Sequence, residues 1–213
     1  ALMNDAGQLT GQAQRPKLTG VTAAGIFKRN PIGNGSAVVI RRAVLEEIAY
    51  QPRQDPARDW YFDETFRQSE DIECWMRIAL TTRWDFEGVA GLLTQYRIST
   101  GGLSAATDKQ LAAWERMVEK LTPLNPAFFE VNTPVARAYQ LRYLCRRAIS
   151  DMDASRAYTL SKEWMAQSRV PLMEEPVKSV VTLAAAAFLS LVGPATLARV
   201  MEVARRARTL RAA

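Results

Sequence analysis

The stretch "FDETFRQSEDIECWMRIA", residues 62–79, joins two adjacent carboxylates to the start of an apolar helical face. Apolar residues recur there and just beyond at spacings of i, i+3, i+4, i+7 and i+8, namely Ile72, Trp75, Met76, Ala79 and Leu80. This spacing puts them on one side of a helix. It predicts a helix from Ser69 to about Thr82 that packs against a core.

The adjacent carboxylates, Glu70 and Asp71, permit two interpretations. With Ser69 as the N-cap, both lie in the first helical turn, where unpaired N–H groups and the helix dipole favour negative charge. The same position also suits a catalytic pair at the mouth of a cleft. Spacing alone does not decide between a helix start and a catalytic site, so the rest of the chain must.

The composition limits the chemistry. A chain of 213 residues with 48 % hydrophobic content is long enough for one large domain or two small ones. Its net charge of +6 favours an anionic partner, such as a nucleotide diphosphate, a lipid head group or nucleic acid. Without histidine, acid–base work falls to carboxylates, tyrosine or lysine. Cys74 and Cys145 form no metal-binding spacing, and they fit a reduced, cytosolic setting.

The first part of the chain predicts short strands and turns. We expect strands at Val21–Phe27 and Ala37–Ile40, and a short helix at Arg42–Tyr50. The loop "NPIGNGS", residues 30–36, contains glycines that allow tight turns and a close approach of main chain to a ligand. Residues 84–99 predict one or two extended segments ending at Tyr96 and Arg97.

Beyond residue 105 the pattern becomes helical, which predicts a division into residues 1–105 and 106–213. The expected helices are Leu111–Leu121, Val135 to about Ser150, Ala154 to about Gln167, and Val180–Val192. The sequence "SDMD" between two of them predicts a turn.

The end of the chain predicts a basic amphipathic helix after Gly193 and Pro194, with Arg199, Arg205 and Arg206 opposite its apolar face. The preceding run, Val180–Val192, is too short to span a bilayer, which takes about 20 residues. Two interpretations remain open: a core helix with a solvated basic face, or a helix pair in the interface of an anionic membrane. Nucleic acid ranks below both because no recognition motif accompanies the charge.

Three stretches taken in order, "NPIGNGSAVVIRRAVLEEI", "YFDETFRQSEDIECWMRIA" and "LTQYRISTGGLSA", resemble the acceptor-side half of family 2 glycosyltransferases. The resemblance covers residues 30–105. The matching residues are Gly35 and Ser36 before Arg41-Arg42, the Phe-Asp-Glu of residues 62–64, Glu70 and Asp71 with Arg77 six residues on, and Tyr96-Arg97.

The resemblance implies a partial α/β domain of the GT-A fold, followed by a mostly α-helical region, with helix dominant overall. It also implies an inverting transfer of sugar from a nucleotide donor to a saccharide or lipid-linked acceptor, in surface polysaccharide or exopolysaccharide synthesis. The setting would be the cytoplasm, peripheral to the inner face of the membrane.

The resemblance also assigns roles to residues. Asp71 would be the general base for the acceptor hydroxyl, and Glu70 would orient Asp71 or the acceptor. The candidates for contact with acceptor or donor phosphate are Gly35, Ser36, Arg77, Tyr96 and Arg97. Arg77 has an alternative, because it could hold the carboxylate pair or bridge Glu73 at i,i+4.

The chain also departs from the family pattern. Trp60 and Tyr61 replace the glycines that often precede Phe-Asp-Glu, and Ser99 stands where a histidine often helps to hold the metal. No Asp-x-Asp motif for Mg or Mn occurs in a suitable place; Asp151 and Asp153 lie in the expected turn. Residues 1–8 resemble the turn that follows the metal-binding strand in such enzymes.

We therefore expect a chain that begins within the domain and lacks most of the donor site, with no metal bound and no activity alone. The alternative is a non-catalytic helical module, peripheral to the membrane or binding other proteins.

Overall fold

The computed structural model describes residues 1–98, 107–196 and 199. Helices dominate this part of the chain, which confirms the helix-dominated fold class. The helices are α1 Ala23–Arg29, α2 Arg42–Ile48, α3 Glu70–Thr81, α4 Thr107–Leu121, α5 Pro126–Ser150, α6 Ala154–Gln167, α7 Val170–Glu174 and α8 Pro176–Val192, with short 3-10 turns at Gly35–Ala37 and Thr122–Leu124. The strands are β1 Leu2–Met3 and β2 Tyr96–Arg97, which pair in parallel.

The contacts within the chain divide it into two compact units, Ala1–Thr133 and Pro134–Ala213. The boundary expected near residue 105 lies outside the described residues.

Two strand predictions in the first unit are wrong. Val21–Phe27 is mostly helix α1, which starts because the Thr22 side chain accepts a hydrogen bond from the Gly25 amide. Its two buried residues, Ile26 and Phe27, are adjacent in the sequence. An apolar run this short has no period that separates a helix from a strand. Ala37 belongs to a 3-10 turn, and the extended residues up to Ile40 have no ladder partner in the described chain.

Helix α3 is the most buried element of the first unit and confirms the predicted helix. The burial extends further around it than the apolar stripe implied. All six residues from Glu73 to Ile78 are buried, whereas Ile72, Ala79 and Leu80 are only partly so. Aromatic packing supports this core: Phe62 meets Trp75 edge to face at 5.7 Å, and Phe27 stacks on Trp114 of α4 at 5.5 Å.

Four charged side chains meet inside this unit, and we call Asp63, Glu73, Arg77 and Lys120 the ion cluster. Lys120 of α4 places its Nζ 2.7 Å from Asp63 and 2.7 Å from Glu73. Arg77 pairs with Glu73 through its Nε at 3.1 Å. Since Glu73 is 0 % exposed, its negative charge must find a partner inside the protein.

The ion cluster is also bonded to main chain and to an aromatic ring. Arg77 donates to the carbonyls of Ile48 and Tyr61, and both Arg77 and Lys120 lie about 5 Å from the Tyr50 ring. Burial alone would raise the pKa of Asp63, but hydrogen bonds from Lys120 and Thr65 outweigh it and hold that pKa below its usual value. The cluster therefore joins α2, α3, α4 and the loop at residue 63.

In the second unit α8 packs on α6 and α7. Arg142 of α5 is buried, forms an ion pair with Glu175, and donates to the Ser179 hydroxyl at 2.6 Å.

The predicted bounds of helix α6 are confirmed. The predicted "SDMD" turn is also confirmed, since Asp153 caps α6 by accepting a hydrogen bond from the Arg156 amide. Helix α5 begins earlier than the predicted Val135, because the helix continues through Pro134. No helix in the described ranges is both long and apolar enough to cross a membrane.

Removing one charge from the ion cluster should destabilise the first unit. In the variant Glu73→Gln, Arg77 and Lys120 lose their shared carboxylate inside the core. We expect the free energy of unfolding to fall by about 3 kcal/mol, measured by urea denaturation.

The matched control is Glu64→Gln, which removes the same charge from an exposed pair with Arg58. Because both partners are more than half exposed, we expect little change in stability. Equal effects of the two variants would contradict the role given to the ion cluster.

Candidate functional site

The candidate site begins at the first turn of α3, where Glu70 and Asp71 lie. Ser69 occupies the predicted N-cap position, but its backbone is left-handed at φ 67° and its side chain makes no capping bond. The Asp71 carboxylate instead accepts a hydrogen bond from the Ile72 backbone amide, through Oδ1 at 2.6 Å. Both carboxylates are partly buried.

Asp71 has the electrostatics of a proton acceptor. Burial raises its pKa to about 6, and the neighbouring charge of Glu70 adds to the rise, while the Ile72 amide opposes it. Within the described residues no cation forms an ion pair with Asp71. A carboxylate that titrates near neutral pH can take a proton from a hydroxyl group and release it again.

Arg77 forms an ion pair with Glu73, four residues earlier, which confirms the alternative predicted for it. It is buried, and its guanidinium also donates to the carbonyls of Ile48 and Tyr61. These bonds position α3. A contact between Arg77 and donor phosphate stays a prediction.

The glycine-containing loop lies against α3. Asn30 and Gly33 exchange hydrogen bonds of 3.1 and 3.2 Å, and the Trp75 indole donates to the Gly33 carbonyl at 3.3 Å. Trp75 is four residues after Asp71 and therefore on the same side of the helix. The loop is thus anchored on the side of α3 that carries Asp71.

Gly35 and Ser36, the loop residues with an expected ligand role, are exposed and form part of a 3-10 turn. The Asn34 side chain accepts from the Ser36 amide at 2.9 Å and fixes the start of this turn. Gly33 has φ +85°, a left-handed backbone that other residues rarely adopt.

Tyr96 and Arg97 form a separate group. They make up β2 and pair with Leu2 and Met3. Arg97 donates to the Asp5 carbonyl at 2.7 Å and lies beside Gly7. In the described part of the chain no hydrogen bond or ion pair links this group to Asp71.

Sequence reasoning missed Lys120 and the ion pairs that it forms with Asp63 and Glu73. Lys120 lies 47 positions from Glu73 in the chain, and no local spacing connects them. Asp63 belongs to the Phe-Asp-Glu motif, and the structure gives it an ion pair with Lys120. The one weak sequence signal for this ion pair was the position of Lys120, directly before the last residue of the predicted Leu111–Leu121 helix.

The metal implied by the resemblance has no donor set in the described ranges. No group of three or more Asp, Glu or Cys side chains is placed there to hold an ion. Asp151 and Asp153 lie in the turn between α5 and α6.

No protein-family model, no curated protein and no solved structure matches this chain. The likeness to family 2 glycosyltransferases accordingly depends on the motifs of residues 30–105.

Proposed function

We propose that residues 30–105 are the acceptor-side part of an inverting glycosyltransferase and that Asp71 is its general base. The supporting observation is the state of Asp71: a partly buried carboxylate, without an ion-pair partner in the described chain, whose pKa is raised to about 6. The order of motifs from Gly35 to Arg97 supports the same assignment.

In the proposed reaction Asp71 takes the proton of an acceptor hydroxyl. The hydroxyl oxygen then attacks the anomeric carbon of the donor sugar, and the nucleotide diphosphate leaves with the electrons of the broken bond. Attack opposite to the leaving group inverts the configuration. The base contributes most when its pKa lies near the working pH, which the burial of Asp71 provides.

The other residues of the site have supporting roles in this proposal. Glu70 raises the proton affinity of Asp71 and orients it or the acceptor. Gly35 and Ser36 present exposed main chain to a ligand, and Tyr96 and Arg97 contact the acceptor or donor phosphate. Arg77, through the ion cluster, fixes the helix on which Asp71 lies and acts as a positioning residue.

The substrates follow from the same resemblance. The donor is a nucleotide sugar, and the acceptor is a saccharide or a lipid-linked saccharide in polysaccharide synthesis. Mg or Mn and most of the donor contacts belong, in such enzymes, to the nucleotide-binding half. Because transfer needs those donor contacts, we would measure it with the protein expressed from its whole gene.

A second candidate function is a non-catalytic helical module that binds an anionic membrane or another protein. The observation that favours it is the exposure of large apolar side chains on α8, including Val177 at 75 % and Leu191 at 84 %. The two candidates are compatible with one location, the cytoplasm at the inner face of the membrane.

Replacing Asp71 with asparagine should abolish transfer without unfolding the protein. We expect the variant Asp71→Asn to lower the rate about 100-fold or more, measured with a panel of nucleotide sugars and the protein from its whole gene. Asp85→Asn, at an exposed carboxylate, is the control and should retain the rate.

Thermal unfolding separates lost chemistry from lost structure. Because the folded pKa of Asp71 is raised, ionising it costs stability as pH rises from about 4 to 6, so Asp71→Asn should be at least as stable as the wild type at pH 7. Full transfer activity in a folded Asp71→Asn variant would remove the base assignment.

The pH dependence of transfer gives a separate prediction. The rate should rise as pH passes through about 6, because only the ionised Asp71 can accept a proton. Glu70→Gln removes the neighbouring negative charge and should move this rise to lower pH, measured as kcat/KM against pH. A rise at the same pH in both proteins would contradict the coupling of Glu70 to Asp71.

A further inference from the structure

Helix α8 is apolar on the side that faces away from its unit. The outward face, as we call it, consists of Val177, Val180, Val181, Ala184, Ala187, Phe188 and Leu191, and all seven are exposed. Val181 is 60 % and Leu191 84 % exposed. At 100° per residue these positions fall within about 120° of arc, and no charged residue interrupts them.

The inward side of α8 carries polar groups whose hydrogen bonds fix the rotation of the helix. Ser179 and Thr182 are buried there. The Ser179 hydroxyl accepts from Arg142 and donates to the Pro171 carbonyl, both at 2.6 Å, and Thr182 donates to the Lys178 carbonyl at 2.7 Å. Turning the outward face inward would break the two Ser179 bonds, which join α8 to Arg142 and Pro171, so the apolar face stays outside.

The charge that follows α8 in the sequence favours an anionic partner. Five arginines and one glutamate follow Gly193, and Arg199, the one of these residues in the described ranges, is exposed. An anionic bilayer supplies hydrocarbon for the valine-rich face and negative charge for the arginines. A second copy of the chain would add to a net charge of +6 instead of neutralising it.

We propose that the outward face of α8 is a docking surface for an anionic lipid bilayer. The helix has 17 residues, fewer than the about 20 that a span takes, so it lies along the surface. Its apolar side chains enter the boundary between head groups and acyl chains, and the basic composition of the sequence that follows it complements the anionic head groups. This inference deepens the membrane location proposed above, and it does not depend on the chemistry of Asp71.

The test is co-sedimentation of the full chain with vesicles of phosphatidylcholine alone or of an equal mixture with phosphatidylglycerol. We expect binding to the mixed vesicles and about tenfold weaker binding by the double variant Val181→Gln with Leu191→Gln. Glutamine favours helix about as well as leucine, so α8 should remain folded, which circular dichroism checks.

The matched control is Val131→Gln with Leu93→Gln, which removes one exposed valine and one exposed leucine from the first unit. This control should bind as the wild type does. Equal binding by the wild type and the α8 variant would overturn the proposal, as would equal binding to neutral and anionic vesicles. A dimer in ultracentrifugation that the α8 variant dissociates would also overturn it, because a second copy would then cover the face.

The test is independent of the glycosyltransferase proposal. If the α8 variant loses vesicle binding and the same substitutions in the protein from its whole gene keep the transfer rate on soluble acceptors, the docking surface is supported and the base assignment is unaffected. If the wild type does not bind the vesicles but the Asp71→Asn variant loses transfer activity, only the docking-surface proposal is contradicted.

Discussion

The burial of Glu73 is the constraint on which the first unit depends. A carboxylate with no solvent contact is costly unless cations and donors surround it, and here Arg77 and Lys120 both pair with it. Lys120 also binds Asp63, and Arg77 also binds the Ile48 and Tyr61 carbonyls. One buried charge thereby sets the relative positions of α2, α3, α4 and the loop between α2 and α3.

This arrangement gives two nearby carboxylates different properties. Glu73 has two cationic partners, whereas Asp71, two residues earlier, has amide donors, a like-charged neighbour and no ion-pair partner among the described residues. Burial and the neighbouring charge of Glu70 raise the pKa of Asp71, and no charge of the ion cluster offsets that rise. In the proposed function the ion cluster provides rigidity, and Asp71 provides reactivity at the end of the same helix.

Sequence alone predicted the elements whose local signals agree. Helix α3 has a regular apolar period, and α6 has Asp153 as its cap. It failed at α1, whose seven residues are too few for a period to separate helix from strand, and at Pro134, which α5 tolerates. The Lys120–Glu73 pair could not be predicted, because contacts between distant segments depend on packing. The inward side of α8 was also hidden, since its run of apolar residues gives no hint that Ser179 and Thr182 face the interior.

The most direct measurement of the central claim is the pKa of the Asp71 carboxyl, followed by carboxyl carbon NMR through a pH titration of the wild-type chain. The account predicts a pKa of about 6, from burial and the charge of Glu70. A pKa near 4, the ordinary value for an exposed aspartate, would contradict it and leave Glu70 and Asp71 as the start of a helix.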